Sequence, residues 1–186
     1  MVSETFRDKS RDNLIQNLSQ LGIKAKMLER KVVQEKIGNV WNMRSLGVIE
    51  IDEEPIKWIN VLKQDGGKNN PPRWRYIYII PDERVSESTK IKVKTHRKKS
   101  FPLFGKIIDT TWKGKDQGTG LISLLSNDIV IKTLAKDLGN FEIESRSETF
   151  FRGWTLYVDR HHFFIGPSWQ EFKSMPEQLL KLPMSL

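Results

Sequence analysis

Cysteine is absent from the 186 residues. That excludes disulfides, thiolate metal sites and cysteine nucleophiles, and it fits a reducing compartment. Histidine is scarce, with only His96, His161 and His162. Neither His-x-x-x-His nor His-Glu-x-x-His occurs, so the usual spacing for zinc is missing. His161 and His162 are adjacent, and in a strand they point to opposite faces and cannot chelate one ion together. No Gly-x-Ser-x-Gly elbow is present, and no Gly-Lys-Ser/Thr follows a glycine loop as a P-loop requires. No stretch approaches the roughly 18 apolar residues of a membrane span, and Met1 to Asp8 carry no apolar signal region. The expectation is a soluble, cytoplasmic chain with no transmembrane segment, no metal and no cofactor.

Positive charge is abundant. The net charge is +8, with 29% charged and 38% hydrophobic residues, a globular balance rather than a disordered one. The excess of cations favours a polyanionic partner or a place in a larger assembly. The length allows one large domain with a proper core. A single domain over residues 1–186 is expected, with a subdivision near 84–89 as the alternative.

The most patterned stretch runs from Thr89 to Lys113. Lys90, Lys92, Lys94 and His96 alternate with Ile91, Val93, Thr95 and Arg97. Strict alternation predicts a half-buried strand with the lysines on one face. Arg97, Lys98 and Lys99 extend the charge into a turn, and a second β-rich segment follows from Lys106 to Trp112. Two readings fit. The lysines solvate the sheet and guard an edge strand from pairing, or they form an anion-binding face.

Elsewhere the pattern predicts a helix over residues 4–21, capped by Ser3, striped by Phe6, Leu14, Leu18 and Leu21, and ended by Gly22. Strands are expected at 23–27, 46–51, 56–63, 74–80, 141–145 and 151–158, and His162 to Ile165 can extend the sheet. A mobile loop is expected around Gly66 to Asn70. Leu121 to Leu125 form a short helix, and Ser126 or Asn127 caps another ending at Gly139. Ser168 and Ser174 each open a capping-box pattern, so two short helices are expected at the C-terminal end. Hairpin-like connections favour an α+β fold, a mainly antiparallel sheet flanked by an N-terminal helix, a central helical segment and short C-terminal helices.

Several constellations could carry chemistry. Trp74, Tyr76 and Tyr78 share one strand face and Arg73 and Arg75 the other. Such aromatics either fill a core or stack bases. Gly114, Gly118 and Gly120 lie between a strand and a helix, where backbone N–H groups can cradle phosphate. The spacing resembles a dinucleotide-binding variant, but too few βα units surround it. Asp82, Asp109, Glu142 and Glu144 are the natural magnesium ligands. Pro81-Asp82 resembles the opening of the PD-(D/E)xK nuclease signature, and the resemblance stops there because no matching acid and lysine follow. Asp159 and His161 can share a strand face as an acid–base pair.

No catalytic residue emerges. The first functional expectation is a non-enzymatic binding or assembly module that meets nucleic acid or another polyanion. Its anion-binding residues are Lys90, Lys92, Lys94, Arg97, Lys98, Lys99, Arg73 and Arg75. The second is an enzyme or binder for a phosphorylated or nucleotide ligand, cradled by Gly114 to Gly120. The third is a structural subunit that buries aromatic faces against a protein partner.

Overall fold

Period-two alternation of β-branched and aromatic residues through the middle of the chain produces strands, and they all join one sheet. The computed structural model describes residues 8–101, 105–159 and 164–184. Its strands are β1 (Ala25–Met27), β2 (Arg44–Glu53), β3 (Ile56–Gln64), β4 (Arg73–Pro81), β5 (Lys92–Lys99), β6 (Ile107–Lys115), β7 (Phe141–Glu148) and β8 (Phe151–Asp159). Its helices are α1 (Ser10–Gln20), α2 (Leu121–Asn127), α3 (Ile129–Leu138) and α4 (Gly166–Leu179), with a 3-10 helix at Val33–Lys36. The fold is α+β. The eight strands follow the order β1-β2-β3-β4-β8-β7-β5-β6, and each neighbouring pair is antiparallel. Among the described residues no helix is long and apolar enough to cross a membrane.

All four helices feed one core on one face of the sheet. Leu14 and Leu18 of α1, Leu121 and Leu125 of α2, Ile131 and Leu134 of α3, and Phe172 and Met175 of α4 meet Ile59, Tyr78, Val93, Phe141 and Trp154 there. Tyr78 lies 4.5 Å from Phe172, centroid to centroid, and Phe164 packs edge-on against Trp169. Burial of such rings and of the aliphatic side chains around them stabilises the fold. A smaller cluster of Ile37, Leu62, Ile77, Ile79, Phe151 and Tyr157 lies on the opposite face.

The helix ends differ from the sequence expectation in local ways. Ser3 and Phe6 lie outside the described residues, and α1 opens where the Asp8 carboxylate accepts the Ser10 N–H at 3.0 Å. Asp128 caps α3 by accepting the Ile131 N–H at 3.0 Å. Ser126 is diverted to accept the Trp112 N–H instead. The two expected C-terminal helices are one, α4, with Pro176 inside it. Its start lies before Ser168, whose hydroxyl accepts the Ile165 N–H at 3.0 Å from inside the first turn. Ser174 donates back to the Glu171 carbonyl, so it opens no new helix. Within the loop after β3, Gly67 and Asn70 form an isolated antiparallel bridge. Phe164 and Ile165 extend no strand; Phe164 is buried in the aromatic core.

Candidate functional site

The face away from the helices is covered unevenly. Residues 28–43 lie across its β2–β4 side. Ile37 is buried there, the Asn60 amide donates to the Glu35 carbonyl at 3.0 Å, and Gly38 approaches the Tyr157 hydroxyl. A Cβ at Gly38 would fall 2.7 Å from that oxygen, so only glycine allows the contact. Beyond Tyr157 the same face continues over β7, β5 and β6 with exposed Lys92, Lys94, His96, Lys98, Lys113 and Lys115.

Strand register places these lysines in opposition. Lys94 faces Lys113 directly, and Lys92 faces Lys115. On the other side of β5, Lys92 faces Glu144 and Lys94 faces Glu142. Glu142 nevertheless turns its carboxylate to Lys92, at 3.0 Å, and Glu144 approaches the same ammonium at 3.5 Å. Partial burial disfavours the Lys92 charge, but the two carboxylates outweigh it and hold its pKa above the ordinary value. Among the described residues Lys94, Lys98, Lys99, Lys113 and Lys115 have no ion-pair partner. Like charges directly across a strand pair destabilise it. Edge protection does not account for Lys92 and Lys94, because β5 is paired on both sides there.

The other expected cations divide. Lys90 precedes the strand and is exposed, its N–H donated to the Gln117 side chain at 2.6 Å. Arg97 points to the helix side, where its guanidinium donates to the Lys136 carbonyl at 2.6 Å, near the C-terminal end of α3. It therefore stands apart from the lysine row. Arg73 and Arg75, distant in sequence, share the lysine face, because Arg75 is two residues from Ile77, which faces Tyr157, which faces Glu142. Arg75 pairs with Asp159 at 3.1 Å and lies over the Tyr157 ring at 5.4 Å. Beneath them, the Arg146 guanidinium donates to Glu144 and to the Tyr157 hydroxyl, both at 2.6 Å. Burial raises the Tyr157 pKa above its usual value.

A cleft of ≈ 1010 Å³ opens at this end of the sheet, lined by Trp41, Asn42, Arg73, Arg75, Asn140 and Asp159 among others. A second, of ≈ 360 Å³, shares Arg75, Asn140 and Asp159 and carries on to Lys94, His96 and Glu142. Together they form one groove from the arginines to the lysine field. Of the six tryptophans, Trp112, Trp154 and Trp169 are buried, Trp58 and Trp74 are half-buried, and Trp41 is 98% exposed at the rim of the larger cleft. Trp41, Asn140, Lys113 and Lys115 were not marked by any sequence motif. Trp41 sits in a stretch without periodicity, and the lysines of β6 acquire meaning only through their register with β5.

Three sequence candidates resolve differently. Tyr76 and Tyr78 are core residues rather than a stacking platform, Tyr78 packing on Phe172 of α4, and burial raises both their pKa values. The glycine loop is not one cradle. Gly114 lies within β6, where a Cβ would fall 2.1 Å from the Lys92 carbonyl oxygen. Gly118 and Gly120 are left-handed turn residues. The amides a phosphate would use serve Asp116, which accepts from the Gly118 and Ile122 N–H groups, both at 3.2 Å. The carboxylates also disperse. Asp82 is buried and holds Arg84 and the Trp154 indole, Asp109 pairs with Lys132, and Glu142 and Glu144 hold Lys92. Among the described residues no group of three His, Asp or Glu could hold a metal ion. His161 and His162, and with them the Asp159–His161 pair, lie outside the described residues.

No protein-family model, curated protein or solved structure matches this chain.

Proposed function

We propose that this chain is a non-enzymatic binding module for nucleic acid, with the phosphate backbone running over the β5–β6 corner of the sheet. The observation that carries the reading is the direct opposition of Lys94 to Lys113, neither of which has an ion-pair partner among the described residues. Such pairing costs stability in the free protein, and a phosphate between two ammonium groups removes the cost. Lys98 and Lys99 extend the same path, and Arg73 adds charge at its far end. Contacts of this kind position a strand without reading its sequence.

The test is binding to labelled single-stranded RNA, single-stranded DNA, duplex DNA and anionic vesicles over a salt series. If four lysines each neutralise one phosphate, the slope of log affinity against log salt is about −2.8 for a single strand. Replacing Lys94, Lys98, Lys113 and Lys115 by glutamate is expected to abolish binding with the circular dichroism spectrum unchanged. Unaltered affinity in that variant would remove the reading, and preference for vesicles over every nucleic acid would replace the partner.

A further inference from the structure

We infer that the cleft beside Trp41 receives unpaired bases, so that the module selects single strands over duplexes. This rests on the lysine corner being the phosphate path. The two ends of the groove differ in charge. At the lysine end Lys92 is held by Glu142 and Glu144, but among the described residues Lys94, Lys98, Lys113 and Lys115 have no ion-pair partner, whereas in the cleft Arg75 is already paired with Asp159 at 3.1 Å. A phosphate gains most at the lysine end. The cleft carries less uncompensated charge, with Arg73 the one cation among its described lining residues that lacks an acid partner, and its interior suits a base.

Its chemistry also suits a base. Trp41 offers an indole that is 98% exposed, while Trp112, Trp154 and Trp169 are buried and Trp58 and Trp74 half-buried. Asn42, Gln64 and Asn140 line the same cleft, and amides both donate to and accept from base edges. The volume of ≈ 1010 Å³ is at the upper end of the range of about 300–1,000 Å³ that encloses small ligands, which leaves room for more than one nucleotide. The smaller cleft leads from Arg75 to Lys94 without a break in lining residues, so a strand with bases at Trp41 reaches the lysines along the same groove. A duplex keeps its base faces stacked inside and has nothing to place against the indole.

Trp41→Ala, Trp41→Phe and the four-lysine variant are titrated by fluorescence anisotropy with a single strand, the same strand carrying abasic sites, and a duplex. Trp41→Ala is expected to lose roughly 5- to 150-fold in affinity for the single strand, the range for one base stacked on one aromatic ring. Its salt slope should stay that of the wild type, its abasic and duplex binding should be unchanged, and Trp41→Phe should recover most of the loss. If Trp41→Ala binds the single strand like wild type while the lysine variant does not, the inference is overturned and the phosphate path stands. An equal loss on the abasic strand overturns it as well, because the indole would then act without a base. Wild-type binding in both variants, or no nucleic-acid binding by the native chain, overturns the inference together with the reading beneath it.

Discussion

Lys113→Glu should make the protein more stable and less able to bind, and the two effects have one cause. In the native register Lys113 faces Lys94 across β5 and β6. With ammonium groups roughly 7 Å apart in a medium close to water, Coulomb repulsion is about 0.6 kcal/mol. Reversing one charge turns repulsion into a similar attraction. Screening and the entropy of holding two long side chains reduce the swing to about 0.5–1 kcal/mol. For a chain of this size that is a rise in Tm of about 1–4 °C. Calorimetry of the wild type, Lys113→Met and Lys113→Glu near about 20 mM salt should rank them in rising order. The differences should shrink near about 500 mM, where the screening length falls to a few ångströms. Binding should move the other way, with the salt slope of Lys113→Glu smaller by about 0.7, one phosphate contact. A Tm that falls on charge reversal, or a gain that ignores salt, would mean the opposed lysines are not in electrostatic conflict. The central argument for a phosphate path would then be lost.

Two further outcomes test the frame that holds this corner. Gly114→Ala brings a Cβ to 2.1 Å from the Lys92 carbonyl oxygen and must push β5 and β6 apart. Gly118→Ala meets no neighbour and bears only the left-handed backbone penalty, roughly 1–2 kcal/mol. Urea midpoints should therefore fall much further for Gly114→Ala, and equal losses would contradict the packing described. The second concerns Asp82, whose burial pushes its carboxyl up while Arg84 and the Trp154 indole more than offset that and hold it below the usual carboxylate range. A depressed folded-state pKa means the stabilisation is present above the unfolded value of about 3.9 and is lost as pH falls through the folded one. Asp82→Asn should cost about 2 kcal/mol near neutral pH, or about 4–8 °C in Tm. The gap to the wild type should begin to close only as pH falls below about 3.9 and vanish below the depressed folded-state pKa, and a gap that persists in stronger acid would show the carboxylate charge to be irrelevant.

The sequence by itself determined which residues form strands and which side of each strand is apolar. Alternation at Ile56–Lys63, Trp74–Ile80 and Lys90–Arg97 is a local property, written in residues that are neighbours in the chain. The α+β class and the shared face of Lys92 and Lys94 were legible for that reason. Helix ends were less legible, since Asp128, Asn127 and Ser126 are all competent caps and Trp112 decides between them by engaging Ser126. The order of the strands was not written locally at all. β5 lies two strands from β8, and β8 beside β4, because of backbone pairing between segments far apart in the chain. The register of the consecutive strands β5 and β6 sets Lys94 against Lys113, while the long-range pairing carries Arg75 onto the lysine face and opens the cleft beside Trp41. Side-chain period is a matter of single-residue geometry, whereas register and strand order are settled by the whole buried sheet, where a slip of one residue would turn every apolar side chain outward.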